Sequence, residues 1–362
     1  MLYLNYAALC PTPQDIWDEV EQTLATFGHH LYSETGVAWY RHTVQACRRK
    51  VGTLLHVEDP STIAFTANAS TAHQGALAAL HWNPGDTLLT TTHENPSITR
   101  QLHALEHDGV HRHAIHPTSP DAFLHEVQAH MSRARVKAIV MSHVSHVDGR
   151  IFPIHDVAAL ARAGQCLVII DGAQAVGHIP VDLGALDCDA YFFTGHKWCE
   201  GPLGTGAIVT RDTFFRHPAC RAFPGGPPGA PPASRFEIGT HNIGLIAGLA
   251  RACERRHQQG LTTHHQTALR ETARSTLGAI PHCRIVEWHG PQAPGILTVT
   301  GRPDRDYRQL VKRLESEYGM IVKGLVDYPE TIAPAIRMSW SSGIPRQDVQ
   351  TGLSTLAHLL AS

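Results

Sequence analysis

Short runs of apolar residues alternate with segments of helical periodicity through the first two thirds of the chain. Four of these runs predict buried strands, at residues 137–141, 166–170, 190–193 and 207–209. Residues 154–163 have apolar positions at helical spacing instead, with Gly164 just past the predicted helix end. Strands that are apolar on both faces and separated by helices are typical of a mostly parallel sheet covered by helices on both sides. The pattern therefore predicts an α/β fold.

The pattern changes after about residue 250, where shorter elements follow one another. Strands are predicted at residues 284–286, 296–299, 320–322 and 336–338, and helices at 307–318 and 347–360. A chain of 362 residues usually exceeds the limit of a single hydrophobic core. We predict an N-terminal segment (1–12) that packs with a small C-terminal α+β domain (251–362) and with the site, and a large domain (13–250). The Pro- and Gly-rich residues 223–232 predict a linker or an active-site loop.

Composition narrows the class of protein without identifying it. Apolar residues make up 43%, charged residues 17%, and the net charge is -2, which is ordinary for a folded protein. No basic stripe indicates nucleic acid, no apolar run is long enough for a membrane span, and no signal peptide is evident, so we expect a cytoplasmic protein. The eight scattered cysteines predict free thiols. The 27 histidines, including the cluster at 111–116, are interpreted mainly as surface residues, and no metal site is predicted.

Polar residues follow three of the predicted strands, at the edge where parallel sheets bind ligands. They occupy residues 142–149, 171–174 and 194–197. Asp171 comes directly after five apolar residues, so a buried carboxylate there needs a cationic partner, unless it only caps the next turn. Lys197 at such an edge can lose its proton and attack a carbonyl, although a single lysine is more often a solvated surface residue.

Together these motifs resemble a known family. Asp171-Gly-Ala-Gln174 followed by Thr194-Gly-His-Lys197 is similar, in order and spacing, to the class V aminotransferase superfamily of fold type I. That superfamily uses pyridoxal 5′-phosphate (PLP) and includes the cysteine desulfurases and cystine C–S lyases. Further matches lie at residues 65–70, 235–243 and 337–339, so the resemblance spans nearly the whole chain. It implies the fold type I architecture, a PLP cofactor and an amino-acid substrate.

The resemblance also implies roles for individual residues. Lys197 would bind PLP as a Schiff base and move the substrate Cα proton, while Asp171 would pair with the pyridinium nitrogen. Residues implied to contact the cofactor are Ala69, Ser70, Asn95, His146, Asp171, Gln174, Thr194, His196 and Thr240. Residues implied to contact the substrate are Arg337, Asn5, Tyr6 and Ala7.

Within these sets, the implied contacts differ. Gln174 and His146 are expected near the phenolic oxygen of PLP, and Arg337 is expected to bind the substrate α-carboxylate in a bidentate pair. The phosphate is expected at a helix start near Ser70, with Thr240 reaching the phosphate of a neighbouring subunit. That last contact implies a homodimer with shared active sites.

The sequence departs from the family pattern at two positions. Asn95 stands where the family has a histidine that stacks on the PLP ring, so either the Asn95 amide or the nearby His93 covers the ring. His146 replaces an asparagine near the phenolic oxygen and can still donate a hydrogen bond.

The reaction is predicted from a missing residue. Cysteine desulfurases carry a persulfide-forming cysteine shortly before the carboxylate-binding arginine, but residues 323–336 contain no cysteine and the last one is Cys283. This favours a C–S lyase that performs β-elimination on cystine, a cysteine S-conjugate or a cysteine sulfoxide, giving pyruvate, ammonia and a sulfur product. An epimerase, an aminotransferase, a desulfurase with a non-standard cysteine such as Cys199, and a non-catalytic scaffold stay open as alternatives.

Overall fold

The computed structural model describes residues 1–31, 33–220, 231–261, 263–328 and 332–361. The helices in these residues are α1 (Gln14–His30), α2 (Glu34–Leu55), α3 (Ala69–Ala78), α4 (Pro96–His107), α5 (Pro120–Arg133), α6 (Ile154–Ala163), α7 (Leu183–Leu186), α8 (Ile243–Gln259), α9 (His264–Gly278), α10 (Tyr307–Tyr318) and α11 (Arg346–Ala361). The strands are β1 (Leu2–Tyr3), β2 (Ile63–Thr66), β3 (Thr87–Thr91), β4 (His111–Ile115), β5 (Val136–Ser142), β6 (Leu167–Asp171), β7 (Ala190–Thr194), β8 (Gly206–Thr210), β9 (Arg284–Val286), β10 (Ile296–Thr300), β11 (Met320–Ile321), β12 (Lys323–Leu325) and β13 (Ala335–Ser339). Most of the predicted Pro- and Gly-rich stretch, residues 221–230, lies outside the described residues.

The central sheet has the strand order β2-β8-β7-β6-β5-β3-β4. Neighbouring strands from β7 to β4 are parallel, whereas β8 runs antiparallel to both β7 and β2. The prediction of an α/β fold with a mostly parallel sheet is therefore confirmed. Because β8 is reversed, its first residue, Gly206, pairs with the last residues of β7 and β2, Thr194 and Thr66. The start of β8 thus lies at the edge where the parallel strands end.

Alternating residues of the central strands face two separate hydrophobic cores. In β5, Ile139 and Met141 belong to one core, while Ala138 and Val140 belong to the other. Helices α2, α5, α6 and α8 contribute to the first core, and α3 and α4 to the second. Burial on both faces explains the continuous apolar runs in the sequence, and each fully buried aliphatic side chain contributes about 1.5–3 kcal/mol.

The C-terminal part forms a smaller antiparallel sheet with the order β12-β13-β10-β9. A third hydrophobic core of the protein packs with this sheet and includes residues of α9, α10 and α11, together with Leu4 from the N-terminal segment. That segment joins the small sheet because β1 pairs with β11 and Asn5 bridges to Ser339. A small C-terminal α+β unit was predicted and is confirmed. The predicted division at residue 250 falls inside α8, and the domain limits stay a prediction.

Predicted element positions agree with the observed ones to within one or two residues. The helix predicted at 154–163 is α6, and Gly164 follows its last residue. One small difference is the start of β6, which begins at Leu167 rather than at residue 166. The physical reason is that the Cys166 N–H bonds back to the carbonyl of Ala161 and so belongs to the turn that ends α6.

Most of the described histidines lie at the surface, as expected, and a few are buried. His111 and His113 are exposed on β4, as interpreted from the sequence. Five other histidines are buried, namely His73, His93, His143, His146 and His178.

Among the described residues there is no cluster of three or more side chains suited to hold a metal. No helix in the described part of the chain is long and apolar enough to cross a membrane.

Candidate active site

Polar residues from four strand ends meet at one edge of the central sheet. The last residues of β3, β5, β6 and β7 are Thr91, Ser142, Asp171 and Thr194. Ser142 and Asp171 are paired in register, so the segments that follow β5 and β6 start side by side. Lys197 follows the end of β7 by three residues and is therefore brought to the same edge, where α/β sheets bind ligands.

Lys197 and Asp171 lie close enough at this edge for each charge to influence the other. Asp171 is 7% exposed, and its Oδ1 accepts a hydrogen bond from the N–H of Ala173 at 2.8 Å. Burial raises the pKa of Asp171, and the positive charge of Lys197 only partly opposes this. Burial lowers the pKa of Lys197, against the attraction of Asp171. The site thus combines an amine that can lose its proton with a carboxylate suited to a cationic ligand atom.

Arg337 lies on β13 and is 3% exposed. Its Nη1 donates to the carbonyl of His146 at 2.5 Å, and its Nη2 donates to Oδ1 of Asn5 at 3.1 Å. Its Nε has no hydrogen-bond partner among the described residues. Burial lowers the pKa of Arg337 to about 10, and the groups that oppose this are the phenols of Tyr328 and Tyr3 rather than a carboxylate. A buried guanidinium with such neighbours is suited to bind the carboxylate of a ligand.

His146 and His93 add neutral imidazoles to the site. Neither ring nitrogen of His146 has a hydrogen-bond partner in the described part of the chain, and its ring lies 5.4 Å from that of Tyr328. His93 lies with its Nδ1 3.1 Å from Oγ of Ser145, and its Nε2 is without a partner there. The pKa of His146 is held well below its usual range by burial and then by the charges of Arg337 and Lys197. The nearby backbone of His93 raises this pKa, but by less.

The pKa of His93 is also held well below its usual range, first by burial and then by the charge of Arg150. Buried polar atoms in native proteins usually have partners. The unpartnered nitrogens of His93 and His146 therefore favour contact with a bound molecule, and the neutral rings can both donate and accept hydrogen bonds.

Glu94 is a buried carboxyl to which the sequence patterns assigned no role. It accepts hydrogen bonds from Oγ1 of Thr91 at 2.6 Å and from N and Oγ of Ser142 at 3.1 and 2.7 Å. Burial raises its pKa to about 7, the hydrogen bonds oppose this, and the charge of Asp171 adds to the rise. Because Glu94 follows the end of β3 by three residues, the search for polar residues after strand ends would have found it if applied to β3 as well.

The first turn of α3 lies beside the start of β8. A Cβ atom at Gly206 would lie 2.6 Å from the carbonyl oxygen of Phe193 and 3.0 Å from Cα of Asn68, so only glycine allows this approach. Asn68 caps α3 by accepting from the N–H of Thr71, which places Ala69 at the first position of the helix.

Thr194, Ser70 and His196 lie around the same end of the site. Ser70 follows Ala69 in the first turn of α3, and Thr194 pairs with Gly206 across the sheet. Oγ1 of Thr194 lies 2.8 Å from Nδ1 of His196. A helix N-terminus near a hydroxyl and an imidazole is suited to bind a phosphate.

The N-terminal segment lies on the Arg337 side of the site. Asn5 contacts Arg337 directly, and Tyr6 is half-buried next to it. The N–H of Ala7 donates to Oγ of Ser339 at 2.9 Å, and its carbonyl accepts from Nε2 of Gln174 at 2.8 Å. The structure therefore brings these predicted substrate residues to one place, and their roles stay predictions.

Asn95 and Thr240 lie at the margin of the site. Oδ1 of Asn95 accepts from the N–H of Ser97 at 3.0 Å and caps α4, so the amide oxygen is used locally. Thr240 is exposed, close in sequence to Ile238, which is 71% exposed. The predicted contact of Thr240 with phosphate belongs to a second subunit and stays a prediction.

Comparison with known proteins identifies the family. The sequence profile of the aminotransferase class-V family matches residues 2–324. The chain belongs to this family and is a PLP-dependent enzyme of class V.

Two curated relatives are both cysteine desulfurases. The protein of Serratia proteamaculans is 27% identical over 312 residues, which cover 80% of this chain and 75% of the relative. The protein of Escherichia coli O157:H7 is 33% identical over 189 residues, covering 49% of this chain and 46% of the relative.

Solved structures share the fold. A complex of a cystine C–S lyase with its reaction product cysteine persulfide has a TM-score of 0.83 at 23% identity, covering 98% of this chain and 97% of that chain. The apo cysteine desulfurase of Thermococcus onnurineus NA1 has a TM-score of 0.84 at 21% identity, covering 99% and 94%. At these identities the likeness establishes the fold type I architecture alone.

The residues at the sheet edge fit PLP. Lys197 offers an amine with a lowered pKa, and Asp171 offers a buried carboxylate with no arginine or lysine in ion-pair contact among the described residues. The close approach at Gly206 leaves the first turn of α3 beside Thr194 for a phosphate. The unpartnered nitrogens of His146 are available to the polar groups of a ring.

Proposed function

We propose that this enzyme is a C–S lyase that removes the sulfur substituent from Cβ of a cysteine derivative by β-elimination. The substrate would be cystine, a cysteine S-conjugate or a cysteine sulfoxide. The Cα–H and Cβ–S bonds break, the sulfur leaves with its bonding electrons and takes up a proton, and one water is consumed. The carbon skeleton leaves as pyruvate and the amino group as ammonium.

The carrying observation is that neither the segment before Arg337 nor the described cysteines near Lys197 offer a thiol suited to accept sulfur. Residues 323–336, which precede Arg337, contain no cysteine. Cys10 is close enough to Lys197 to feel its charge, yet burial raises the pKa of Cys10 well above its usual range, so it stays a neutral thiol. Cys199 is buried and points its Sγ at the carbonyl of Val176, 3.5 Å away. Because a persulfide forms on a thiolate, these surroundings favour elimination over sulfur transfer.

The side chains divide the work of such a reaction. PLP, when bound, supplies an electron-withdrawing ring that stabilises negative charge at the substrate Cα. Lys197 would bind the cofactor and, as a free amine with a lowered pKa, take the proton from Cα. Asp171 would keep the ring nitrogen protonated through its negative charge. Arg337, together with Asn5, would hold the α-carboxylate and so orient the Cα–H bond.

We further propose that the active unit is a homodimer in which Thr240 reaches the phosphate of the neighbouring subunit. Support comes from a cleft of about 450 Å³ between α3 and the segment that carries Ile238 and His241. Exposed apolar side chains are present on this protomer, with Leu203 60% and Ile238 71% exposed. Ile238, which lines this cleft, would be removed from water if a second subunit packed there.

Mixing two inactive variants tests the shared site. Lys197→Ala and Thr240→Arg subunits are expected to be inactive alone. In a mixed dimer, one of the two sites has a native Lys197 from one subunit and a native Thr240 from the other, so activity should return. A monomer in sedimentation velocity, or no recovery on mixing, would refute the shared site.

A substrate screen tests the lyase proposal. The purified protein with PLP is incubated with cystine, an S-conjugate and a cysteine sulfoxide, and pyruvate and the sulfur product are scored separately. We expect pyruvate from at least one class, none from Lys197→Ala, and unchanged yields from the control Lys312→Ala, which alters an exposed lysine on α10. If no substrate gave pyruvate, or if Lys197→Ala kept the activity, the proposal would be wrong.

A cysteine desulfurase is the second candidate, favoured by the names of the two curated relatives. That reaction would release alanine instead of pyruvate. Deuterium exchange into Cα in heavy water, without loss of the side chain, would instead indicate an epimerase.

A further inference from the structure

Trp198, the residue directly after Lys197, is 1% exposed and makes one polar side-chain contact among the described residues. Its indole Nε1 donates to Oε1 of Gln174 at 2.7 Å. Gln174 is itself 4% exposed, and its Nε2 donates to the carbonyl of Ala7 at 2.8 Å. The indole therefore joins the residue after the predicted cofactor lysine to a residue that follows β6, three positions past Asp171.

Trp198 as a donor and Ala7 as an acceptor fix the orientation of the Gln174 amide. An indole nitrogen can only donate a hydrogen bond and a carbonyl oxygen can only accept one. Trp198 therefore requires the oxygen of Gln174 on its side, and Ala7 requires the nitrogen on the other. The amide nitrogen carries two hydrogens, of which the contacts of the described residues use one. The second hydrogen is left for a ligand.

His178 holds the indole ring in place. The two rings are stacked, with centroids 3.6 Å apart and planes 10° apart. Nε2 of His178 accepts from the N–H of Gly295 at 2.9 Å, so the ring proton is on Nδ1. Nδ1 lies 3.0 Å from the backbone carbonyl oxygen of Gln174. Burial lowers the pKa of His178 to about 3, so the ring is neutral.

Gly295 closes this arrangement from the small sheet. A Cβ atom there would lie 2.8 Å from Nε2 of His178, 2.8 Å from Cη2 of Trp198 and 2.7 Å from the carbonyl oxygen of Trp340. Gly295 therefore lies against the edge of both stacked rings. With one face covered by His178 and one edge against Gly295, the indole is held so that its N–H points at Gln174.

We propose that Trp198 is a positioning residue, which fixes the Gln174 amide so that its remaining N–H faces the phenolic oxygen of PLP. This rests on the cofactor site described above and does not depend on which reaction the enzyme performs. The N–H of Gln174 would stabilise negative charge on that oxygen. Loss of either residue should therefore raise the pH at which the bound cofactor loses its proton.

A double-mutant cycle on the holoenzyme without substrate tests this. The pH midpoint of the visible absorbance of bound PLP is measured for wild type, Trp198→Phe, Gln174→Leu and the double variant. We expect each single variant to move the midpoint upward by about half a pH unit, the effect of one hydrogen bond. Because Trp198 acts through Gln174, the double variant should show the shift of Gln174→Leu alone.

The control is Trp340→Phe, which removes another buried indole, whose Nε1 donates to the carbonyl of Gln266 at 3.4 Å. It should leave the midpoint unchanged. Shifts that add in the double variant, or no shift in Trp198→Phe, would overturn the proposal. If Trp198→Phe does not fold, benzothienylalanine at position 198 keeps the ring shape and removes only the N–H, with the same expected shift. A protein that binds no PLP would contradict the cofactor site instead.

Discussion

Replacing Arg337 by methionine should strongly weaken substrate binding while leaving the folded protein about as stable as before. The buried guanidinium has only a carbonyl and an amide as hydrogen-bond partners, with its Nε unpartnered among the described residues. Its removal relieves a desolvated charge and leaves the carbonyl of His146 without that donor, and these two effects oppose each other. We therefore expect Arg337→Met to change Tm by no more than a few degrees.

The effect on activity should be much larger. Loss of one partner from a buried, hydrogen-bonded charge pair costs about 2–5 kcal/mol, which is roughly 30-fold to several thousand-fold in kcat/KM. Steady-state kinetics with the best substrate of the screen measures this. A kcat/KM close to wild type would refute the assignment of the α-carboxylate to Arg337.

Arg150 provides the matched control for stability. It is also a buried arginine, but it is paired: its Nε and Nη2 lie 2.9 and 2.6 Å from Oδ2 of Asp148, which is 0% exposed. Arg150→Met would leave that carboxylate buried without its partner, at a cost of about 3–5 kcal/mol. Urea unfolding should therefore rank Arg150→Met far below Arg337→Met. Equal losses of stability in the two variants would contradict the view that Arg337 is kept for a ligand.

Three further predictions concern the pH dependence of stability, Gly206 beside the predicted phosphate site, and Asp171. Burial lowers the folded pKa of His73 to about 4, below its unfolded value, so the stability it contributes above pH 6.5 is lost as the pH falls toward 4. Urea unfolding between pH 7 and 4 measures how the free energy of unfolding changes with pH, and in His73→Leu this slope should be lower by about 1.4 kcal/mol per pH unit. Glu94 has the opposite effect on the slope, because its folded pKa is raised to about 7. Gly206→Ala should weaken PLP binding at least roughly tenfold in a fluorescence titration because its Cβ meets backbone, while the control Gly28→Ala, with no atom within 4 Å, should not. Asp171→Asn should lower kcat roughly 100-fold with PLP still bound, and an unchanged kcat would argue against its pairing with the ring nitrogen.

Much of the fold and part of the site could be predicted from the sequence. The strands β5, β6 and β7 are buried on both faces, so their continuous apolar runs stand out, and the polar residues after them include Asp171 and Lys197. The resemblance to class V enzymes added Arg337, which comes from the small sheet and which no local pattern connects with the strand ends.

Other features depend on which elements become neighbours. The two hydrogen bonds that Ser142 donates to Glu94 form because the ends of β3 and β5 are adjacent, and strand order is not written in any single segment. The Trp198–Gln174 contact joins residues that follow different strands, and in the sequence Trp198 is only an apolar residue after Lys197. Burial of histidines such as His178 could not be read from the sequence either, because a neutral imidazole is compatible with a core once neighbours such as Gly295 satisfy its nitrogens.

The most direct test of the central claim is the fate of the substrate carbon. Cystine labelled with ¹³C in its carbon chain, or whichever cysteine derivative turns over best, is converted by the holoenzyme and followed by NMR. The account predicts that the labelled carbon released by C–S cleavage appears as pyruvate, with ammonium in equal amount, and that Lys197→Ala gives none. Label recovered as alanine would contradict it, because alanine forms when the sulfur leaves without its bonding electrons and an acceptor such as a thiol takes it up.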